Sequence, residues 1–318
     1  MKNNHYSVFI GDVALDEYYS VDKWPGLTDK ADCKMLPGQM GGTIANAACV
    51  YASYGMPTYF LGRLNPNDKF LCDDLETWGI NTSLTRYDDA LAPSKCMIFL
   101  SENEHTVFLL DTQIKSIPLT RDMQRVLCDA GLIYTNLFTL RLLTLESLAP
   151  EAILNEWRQH HVKVVVDCDV NAISADEMRF VPGLHTIIFN ENGYRLQCAG
   201  RTEEQTAQAL LKLVPEIIIE TLAERGCNIY TRKQTVHIDG VRADVSDVTG
   251  AGDTFCSSFA FFYGLSEDAV LSGKWATYAS SLAVTKMGAR GGANGVQNVL
   301  QYIQKAGGDT SLFSPYIQ

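Results

Sequence analysis

The sequence of 318 residues lacks two features that would direct a protein to a membrane. None of its apolar runs approaches the roughly 20 residues that span a bilayer. Its first residues, MKNNHYSVFIGD, contain only a short apolar stretch where a signal peptide has a long apolar region. From these absences we expect a cytoplasmic protein with no membrane partner.

Basic residues are also scarce. Lys and Arg total 26 against 37 Asp and Glu, which gives a formal net charge of −11. Because phosphodiester backbones are bound by clustered cations, this balance predicts that nucleic acid is not a partner. The nine cysteines are odd in number and no two have the CxxC spacing, which favours reduced, buried thiols over a metal or redox site.

Two common nucleotide-binding motifs are missing. The P-loop pattern G-x-x-x-x-G-K-[ST] occurs nowhere in the sequence. The G-x-G-x-x-G spacing that begins at Gly250 meets Phe255 where its third glycine should be. These absences disfavour a P-loop enzyme and a dinucleotide-dependent oxidoreductase.

Six short apolar runs, rich in β-branched and aromatic residues, alternate with helical segments. This alternation is typical of βαβ units and predicts an α/β fold with a largely parallel sheet. Residues 94–112 resemble a β-hairpin and residues 17–38 contain strand-like pieces, so we expect them to form a small β layer or lid beside the main sheet. No repeat or linker divides the chain, which predicts one domain over 1–318 with lid segments at about 14–37 and 90–113. The six runs are YSVFIG, TYFLG, GLIYTN, KVVVDCD, HTIIFN and EIIIETL.

The last third of the chain carries a different pattern. Residues 227–239 predict a second hairpin, and the alternation of apolar residues over 241–248 predicts a half-buried strand. The pattern then becomes helical to near the end. One of these helices is expected over about 266–287, ending at Gly288 as a C-terminal glycine.

The stretch DVTGAGDTF, residues 247–255, joins the predicted strand to a helix that begins near Asp253. A turn through Gly250, Ala251 and Gly252 would present free backbone N–H groups at the positive end of that helix, which is an anion site. A carboxylate beside an anion site is repelled unless it has a chemical task, such as removing the proton of a hydroxyl that attacks a phosphate. An acid that merely complements the helix dipole explains the same stretch equally well.

The stretch GGTIANAACVYASYGMP, residues 41–57, is a second candidate site. Paired glycines at Gly41 and Gly42 would let a ligand approach the backbone, and Asn46 in the first helical turn offers both a donor and an acceptor to hydroxyls. Asp16 follows the first strand, and ligands of open α/β sheets gather at the carboxyl ends of strands. A turn with a buried Asn and a solvated loop acid are the alternative interpretations.

Taken together, these stretches resemble the two signatures of the ribokinase-like, or PfkB, carbohydrate kinases. GGTIANAA followed by GRLNPNDKF resembles the N-terminal signature, and DVTGAGDTFCSSFAFFYGL resembles the C-terminal one. The resemblance covers essentially the whole chain in order and length. It implies a doubly wound, mostly parallel sheet with helices on both faces and a small β lid.

The resemblance also implies an activity: ATP-dependent phosphorylation of a hydroxyl on a small sugar or sugar derivative, with hexoses and ketohexoses favoured. Asp253 matches the family's catalytic base, and Gly250, Ala251 and Gly252 match its anion hole. Mg²⁺ would accompany ATP. The other matched positions are the sugar-contacting Asp16, Gly41, Gly42 and Asn46, the nucleotide-site residues Asn190, Thr221 and Gly226, the monovalent-cation (K⁺) positions Asp247 and Thr249, and Asp167 at a strand end near the active site.

One family element is altered in this sequence. The N-x-x-E element, which helps to order Mg²⁺ and its waters, appears here as Asn190, Glu191, Asn192 and Gly193, with glycine in place of the glutamate. Glu191 is one substitute for the missing carboxylate. The alternative is a metal held more by the oxygens of ATP, as Mg²⁺ commonly is.

Two other functions and one partner stay open at this stage. The altered element is compatible with a non-catalytic protein that senses sugar or nucleotide on the same fold. Aromatic residues in the predicted lid are compatible with a nucleoside kinase. Exposed edge strands of the lid would allow it to pair in a homodimer.

Overall fold

The computed structural model describes residues 6–101 and 104–317 of the chain. Its main sheet has eight strands, of which the six predicted apolar runs are mutually parallel and two more are antiparallel at one edge. In spatial order the strands are β17 (Thr235–Ile238), β16 (Cys227–Thr231), β15 (Ile217–Thr221), β14 (Thr186–Asn190), β13 (Lys163–Asp169), β11 (Leu132–Asn136), β1 (Ser7–Ile10) and β5 (Thr58–Leu61).

Ten α-helices accompany the strands in the described residues. They are α1 (Thr43–Ser53), α2 (Lys69–Thr77), α3 (Arg121–Asp129), α4 (Leu137–Leu142), α5 (Pro150–Gln159), α6 (Glu191–Cys198), α7 (Glu203–Leu211), α8 (Ala251–Ser266), α9 (Ala269–Ala283) and α10 (Gly295–Lys305). No helix within the described ranges combines the length and the apolar character needed to cross a membrane.

Two buried cores lie on opposite faces of the main sheet. Successive residues of a strand point to opposite faces, and in β1 Phe9 joins one core while Val8 and Ile10 join the other. The first core includes buried side chains of α1, α2, α8, α9 and α10, and the second includes those of α3 to α7. The predicted doubly wound arrangement, with helices on both faces, is confirmed.

The segments predicted as a β layer form a second sheet of five strands. A hairpin is present within 94–112 as predicted, although its turn at 102–103 lies outside the described residues. The central strand β2 (Ala14–Ser20) pairs in parallel with β8 (Lys95–Ser101) and antiparallel with β3 (Lys34–Met35) and β4 (Gln39–Gly41). The fifth strand of this sheet is β9 (Glu104–Leu109); two short pairs, β6 (Arg63–Leu64) with β7 (Arg86–Tyr87) and β10 (Ile117–Pro118) with β12 (Leu143–Thr144), lie apart from it.

The prediction of a strand over 241–248 is wrong. This segment is irregular, and Val245 and Val248 are 63% and 67% exposed. Alternating apolar residues form a strand only where one face can be buried, and here the chain has already left the sheet after β17. The predicted hairpin at 227–239 is present as β16 and β17.

The helix predicted over 266–287 is shorter at both ends. It begins after Asp268, whose carboxylate accepts the Leu271 amide at 2.9 Å, because α8 continues to Ser266 and separates the two helices. It ends at Ala283, several residues before Gly288. Gly288 has a positive φ of 90° but does not end the helix, and its amide instead donates to the Asp247 carboxylate.

Two glycines, one at the N-cap of α8 and one within the helix, provide a stability test of this fold. A methyl group at Gly250, where φ is 76°, would overlap the Ala289 carbonyl oxygen, whereas one at Gly264 would meet no atom within 4 Å. We expect Gly264→Ala to raise the free energy of unfolding by about 0.5–1 kcal/mol and Gly250→Ala to lower it by roughly 1–3 kcal/mol. Chemical denaturation of both variants measures the two changes, and equal stabilities would contradict the described approach of α8 to residue 289.

Candidate active site

A cavity of about 210 Å³ lies where the parallel strands β13, β14 and β15 end. Six of the residues that line it were singled out from the sequence: Asp167, Asn190, Thr221, Gly250, Gly252 and Asp253. The cavity therefore joins the end of the sheet to the start of α8. This is the position in which open α/β sheets bind their ligands.

The glycine turn presents unpaired amides to this cavity. Gly250 adopts a left-handed conformation at the N-cap of α8, and Gly252 is exposed. The Ala251 amide donates to the Val248 carbonyl at 3.2 Å, so it is engaged by the chain itself. Among the described residues no acceptor is found for the amides of Gly252 and Asp253, which lie at the positive end of the helix dipole.

Asp253 is held by a side chain from a distant part of the sequence. The Asn46 amide nitrogen Nδ2 donates to Asp253 Oδ2 at 3.0 Å. Asn46 is only 5% exposed, and its Oδ1 is buried without a hydrogen-bond partner. Because an unsatisfied buried acceptor costs free energy, this oxygen is suited to receive a hydrogen bond from a ligand hydroxyl.

The surroundings of Asp253 disfavour its charged form. Burial raises the pKa of Asp253 well above its usual range. The hydrogen bond from Asn46 opposes this shift, while the carboxylates of Asp167, Asp12 and Asp169 add to it. Burial likewise raises the pKa of Asp167 to about 6. In its deprotonated form, a carboxylate with a raised pKa is a stronger proton acceptor than an ordinary aspartate.

Asp16 lies on β2 of the second sheet, next to Gly41 on β4. It is 9% exposed, and a methyl group at Gly41 would overlap its carboxylate, so glycine at 41 leaves the room that Asp16 occupies. Burial raises the pKa of Asp16, and a hydrogen bond from the Cys96 thiol on the paired strand β8 opposes the shift. Asp16 and Gly41 do not line the cavity described above, so they would contact a different part of a ligand.

In the altered N-x-x-E element, the position of the missing glutamate has no room for a side chain. A side chain at Gly193 would overlap the backbone carbonyl oxygen of Asp169. The Asn190 side chain caps α6 by accepting the Gly193 amide at 2.9 Å and donates to Asp169 Oδ1 at 3.0 Å. Glu191 is exposed, pairs with Arg225 and lies outside the cavity lining, so its assignment to Mg²⁺ stays a prediction.

The residues predicted to bind a monovalent cation are occupied by contacts with each other. Asp247 Oδ1 accepts the amide and hydroxyl of Thr249, and Oδ2 accepts the Gly288 amide at 2.8 Å. Although burial acts in the opposite direction, these hydrogen bonds lower the pKa of Asp247. The cation role of Asp247 and Thr249 stays a prediction.

Gly226 has a structural reason to be glycine. Its φ is 94°, and a side chain there would overlap the Ile238 carbonyl oxygen where β16 begins beside β17. It does not line the cavity, in contrast to Thr221. Its assignment to the nucleotide site stays a prediction.

The interpretation of the sequence missed several residues of the site. Asp169 and Thr43 line the cavity, and the Asp12 side chain accepts the Thr43 amide at 2.7 Å. Asp12 follows the first strand directly, so the rule that drew attention to Asp16 applies equally to it. Asp169 was hidden by the irregularity in β13 between residues 167 and 169, which no periodicity reveals.

Comparison with known proteins identifies the family. The model of the pfkB family carbohydrate kinases matches residues 4–296. The chain belongs to the PfkB family. It is 24% identical to a deoxyribokinase of Salmonella typhi, over 83% of this chain and 87% of the relative, and 26% identical to a ribokinase of Lactococcus lactis subsp. lactis (strain IL1403), over 89% and 92%.

The fold of this PfkB protein matches a solved structure. The structure of Arabidopsis thaliana ribokinase complexed with ribose and ATP superposes with a TM-score of 0.79 and 20% identity, covering 94% of this chain and 98% of the other. The ribokinase-like fold predicted from the sequence is thereby confirmed. The match to the family model confirms the assignment to carbohydrate kinases.

The steric account of Gly193 leads to a prediction. Gly193→Glu restores the family's glutamate in sequence, yet we expect it to lower the free energy of unfolding by roughly 1–3 kcal/mol, as overpacking does, because the Asp169 carbonyl fills the space. Leu196→Glu on the same helix is the matched control, because Leu196 is 54% exposed. Thermal unfolding distinguishes them, and a Gly193→Glu variant as stable as the control would show that the loop yields easily.

Proposed function

We propose that this PfkB protein transfers the γ-phosphoryl group of ATP to a hydroxyl of a small sugar or sugar derivative. The observation that supports this most is the position of Asp253, a carboxylate with a raised pKa beside unpaired amides at the start of α8. The neighbouring Asn46 holds it by a hydrogen bond and keeps one buried oxygen free for a ligand.

The arrangement supports general base catalysis. Asp253 takes the proton of the acceptor hydroxyl as the hydroxyl oxygen bonds to the γ-phosphorus. The bond from that phosphorus to the oxygen bridging the β- and γ-phosphates breaks in line, and ADP leaves. The amides of Gly252 and Asp253 would donate to the phosphoryl oxygens, and Gly250 sets the turn that aims them. The Ala251 amide would join the anion hole only by exchanging its present acceptor, Val248.

The acceptor would lie between α1 and the second sheet. Asp16 supplies a carboxylate for one or two hydroxyls, and Asn46 Oδ1 accepts from another. Gly41 and Gly42 keep the backbone close to this position. Closure of the second sheet over the acceptor would exclude water from the reaction, in the role of a lid on a single domain.

The nucleotide would extend from the cavity along the ends of β14 and β15, where Asn190 and Thr221 lie, with Gly226 beyond. In the described residues no three His, Cys, Asp or Glu side chains are arranged to hold a metal. Asp167 and Asp169 nevertheless provide oxygen donors on the cavity wall, which suits Mg²⁺ held mainly by phosphate oxygens. When bound, Mg²⁺ would neutralise phosphate charge.

The acceptor is best found by measuring acceptor-dependent ADP release. A panel of hexoses, ketohexoses, pentoses, sugar acids and nucleosides covers the alternatives. Turnover with a sugar supports the proposal, and turnover only with nucleosides would indicate a nucleoside kinase. Binding of sugar and ATP without turnover would indicate a sensing protein.

Pairing of two copies through the second sheet, where Met35 and Leu109 are 67% and 78% exposed, is a separate proposal for sedimentation to test.

Replacement of the proposed base tests the chemistry. Asp253→Asn retains an oxygen that can accept from Asn46, so we expect normal folding and ATP binding with kcat reduced by roughly 100-fold or more, the scale of general base loss. Steady-state kinetics with the identified acceptor measures this. Turnover near that of the wild type would remove Asp253 from the role of base.

Asp253→Asn should also change how the stability of the protein depends on pH. Because the pKa of Asp253 is raised in the folded chain, the wild type is fully stabilised below the unfolded-state pKa of about 4 and loses stability as the pH rises through the folded-state pKa. The asparagine of Asp253→Asn does not ionise, so this variant does not lose stability in the same way as the pH rises. Its melting temperature should exceed that of the wild type at pH 7 by about 2 °C or more, and the difference should shrink as the pH falls.

Replacement of Asp16 tests the acceptor site. Asp16→Ala removes a charged hydrogen-bond partner, so we expect the acceptor KM to rise about tenfold or more while kcat changes less. Asp22→Ala, an exposed aspartate just after β2, is the matched control. An unchanged acceptor KM in Asp16→Ala would exclude Asp16 from the site.

A further inference from the structure

Helix α1 begins without a side chain of its own to cap it. Its N-cap residue is Gly42, with φ 97° and no side-chain hydrogen bond. A methyl group at Gly42 would lie 2.7 Å from the Cα atom of Val13 and 3.0 Å from the Asp12 carbonyl oxygen. A capping Ser, Thr, Asp or Asn therefore cannot occupy position 42, although the first amides of the helix still need acceptors.

Asp12 supplies those acceptors from the neighbouring loop. Its carboxylate oxygen Oδ2 accepts the Thr43 amide at 2.7 Å, and its backbone carbonyl accepts the Ala45 amide at 3.1 Å. The side-chain carboxylate and the backbone carbonyl of Asp12 thus both hold the first turn of α1. Asp12 itself is fixed by its place between β1 and the buried Val13.

The turn that Asp12 holds is the turn that carries Asn46. The Asn46 amide makes the first regular helical bond, to the Gly42 carbonyl at 2.8 Å, and its side chain donates to Asp253. One residue later, the Ala47 carbonyl accepts the Ser257 hydroxyl of α8 at 2.6 Å. The body of α1 is therefore tied to α8, while the end beside Asp253 depends on Asp12.

We propose that Asp12 is a positioning residue for phosphoryl transfer: by capping α1 in place of Gly42, it places the Asn46 side chain between Asp253 and the acceptor. The proposal rests on the function proposed above for Asp253. Asp12 acts here through Asn46 and does not touch the reacting atoms. The proposed role is geometric and depends on the oxygen acceptor at this position; the negative charge of Asp12 is a separate contribution, one of three carboxylates that help burial to raise the pKa of Asp253.

Two variants separate geometry from charge. Asp12→Ala removes the side-chain cap, whereas Asp12→Asn keeps an oxygen for the Thr43 amide and removes the charge. Asp268→Ala is the matched control, because Asp268 is also an exposed aspartate that accepts an amide at the start of a helix, but α9 lies outside the cavity lining. Kinetics with the identified acceptor are combined with hydrogen exchange of the amides at 43–46.

We expect Asp12→Ala to lower kcat about tenfold to 100-fold, the effect of a misplaced catalytic group, with a smaller change in acceptor KM. Exchange at 43–46 should accelerate in the same variant. Asp12→Asn should recover most of both losses, and Asp268→Ala should leave kcat unchanged while its own helix exchanges faster.

Wild-type kinetics in Asp12→Ala, or an Asp12→Asn variant as slow as Asp12→Ala, would overturn the proposal. The proposed function fails separately, if the wild type shows no acceptor-dependent turnover at all. In that case the exchange data still decide the positioning role, because unchanged protection of 43–46 in Asp12→Ala would contradict it.

Discussion

The hydrogen bond from Asn46 to Asp253 joins residues 207 positions apart and brings the two candidate stretches of the sequence into one site. It connects the first turn of α1 to the first turn of α8, and both helices have glycine at the N-cap. A carboxylate in this position costs free energy, since burial and three neighbouring carboxylates all raise its pKa. The Asn46 donor partly offsets that cost, and it fixes which oxygen of Asp253 remains for chemistry. The start of α1, the start of α8 and the ends of the central strands must therefore all be held in place for this contact to form.

Because glycine has no side chain, it allows close contacts at three places around the site. At Gly41 the missing side chain leaves room for the Asp16 carboxylate, and at Gly250 it lets α8 begin against residue 289. At Gly193 it lets the loop after β13 pack on the first turn of α6, which brings Asp169 to the cavity. The glycine at position 193 is thus required by the close contact between α6 and the chain at residues 169–171. The carboxylates on that wall of the cavity, Asp167 and Asp169, come from β13.

The main sheet could be predicted from the sequence because its parallel strands are buried on both faces, so each is a continuous apolar run bounded by turns. The segment 241–248 misled because Val241, Ala243 and Val245 alternate as in a strand although none of them is buried, and nothing local reveals that the chain has left the sheet. Asp253, Asn46 and Asp167 could be found because they follow glycine turns or strand ends. Asp12 could also have been noticed by the strand-end rule, but its capping role could not, since that role comes from a neighbouring helix that lacks a cap; Asp169 was missed because of the irregularity in its strand. Both are tertiary effects with no period in the sequence.

The central claim is that a phosphoryl group is held at the start of α8, between the amides of Gly252 and Asp253 and the hydroxyl that Asp253 deprotonates. A crystal structure with ADP, aluminium fluoride and the identified acceptor tests it directly, because the fluoride mimics the phosphoryl group in transfer. The account predicts fluorine atoms within about 3 Å of those two amides and an acceptor oxygen within hydrogen-bonding distance of Asp253, in line with the ADP oxygen. An acceptor oxygen bound away from Asp253, or aluminium fluoride bound away from the start of α8, would contradict it.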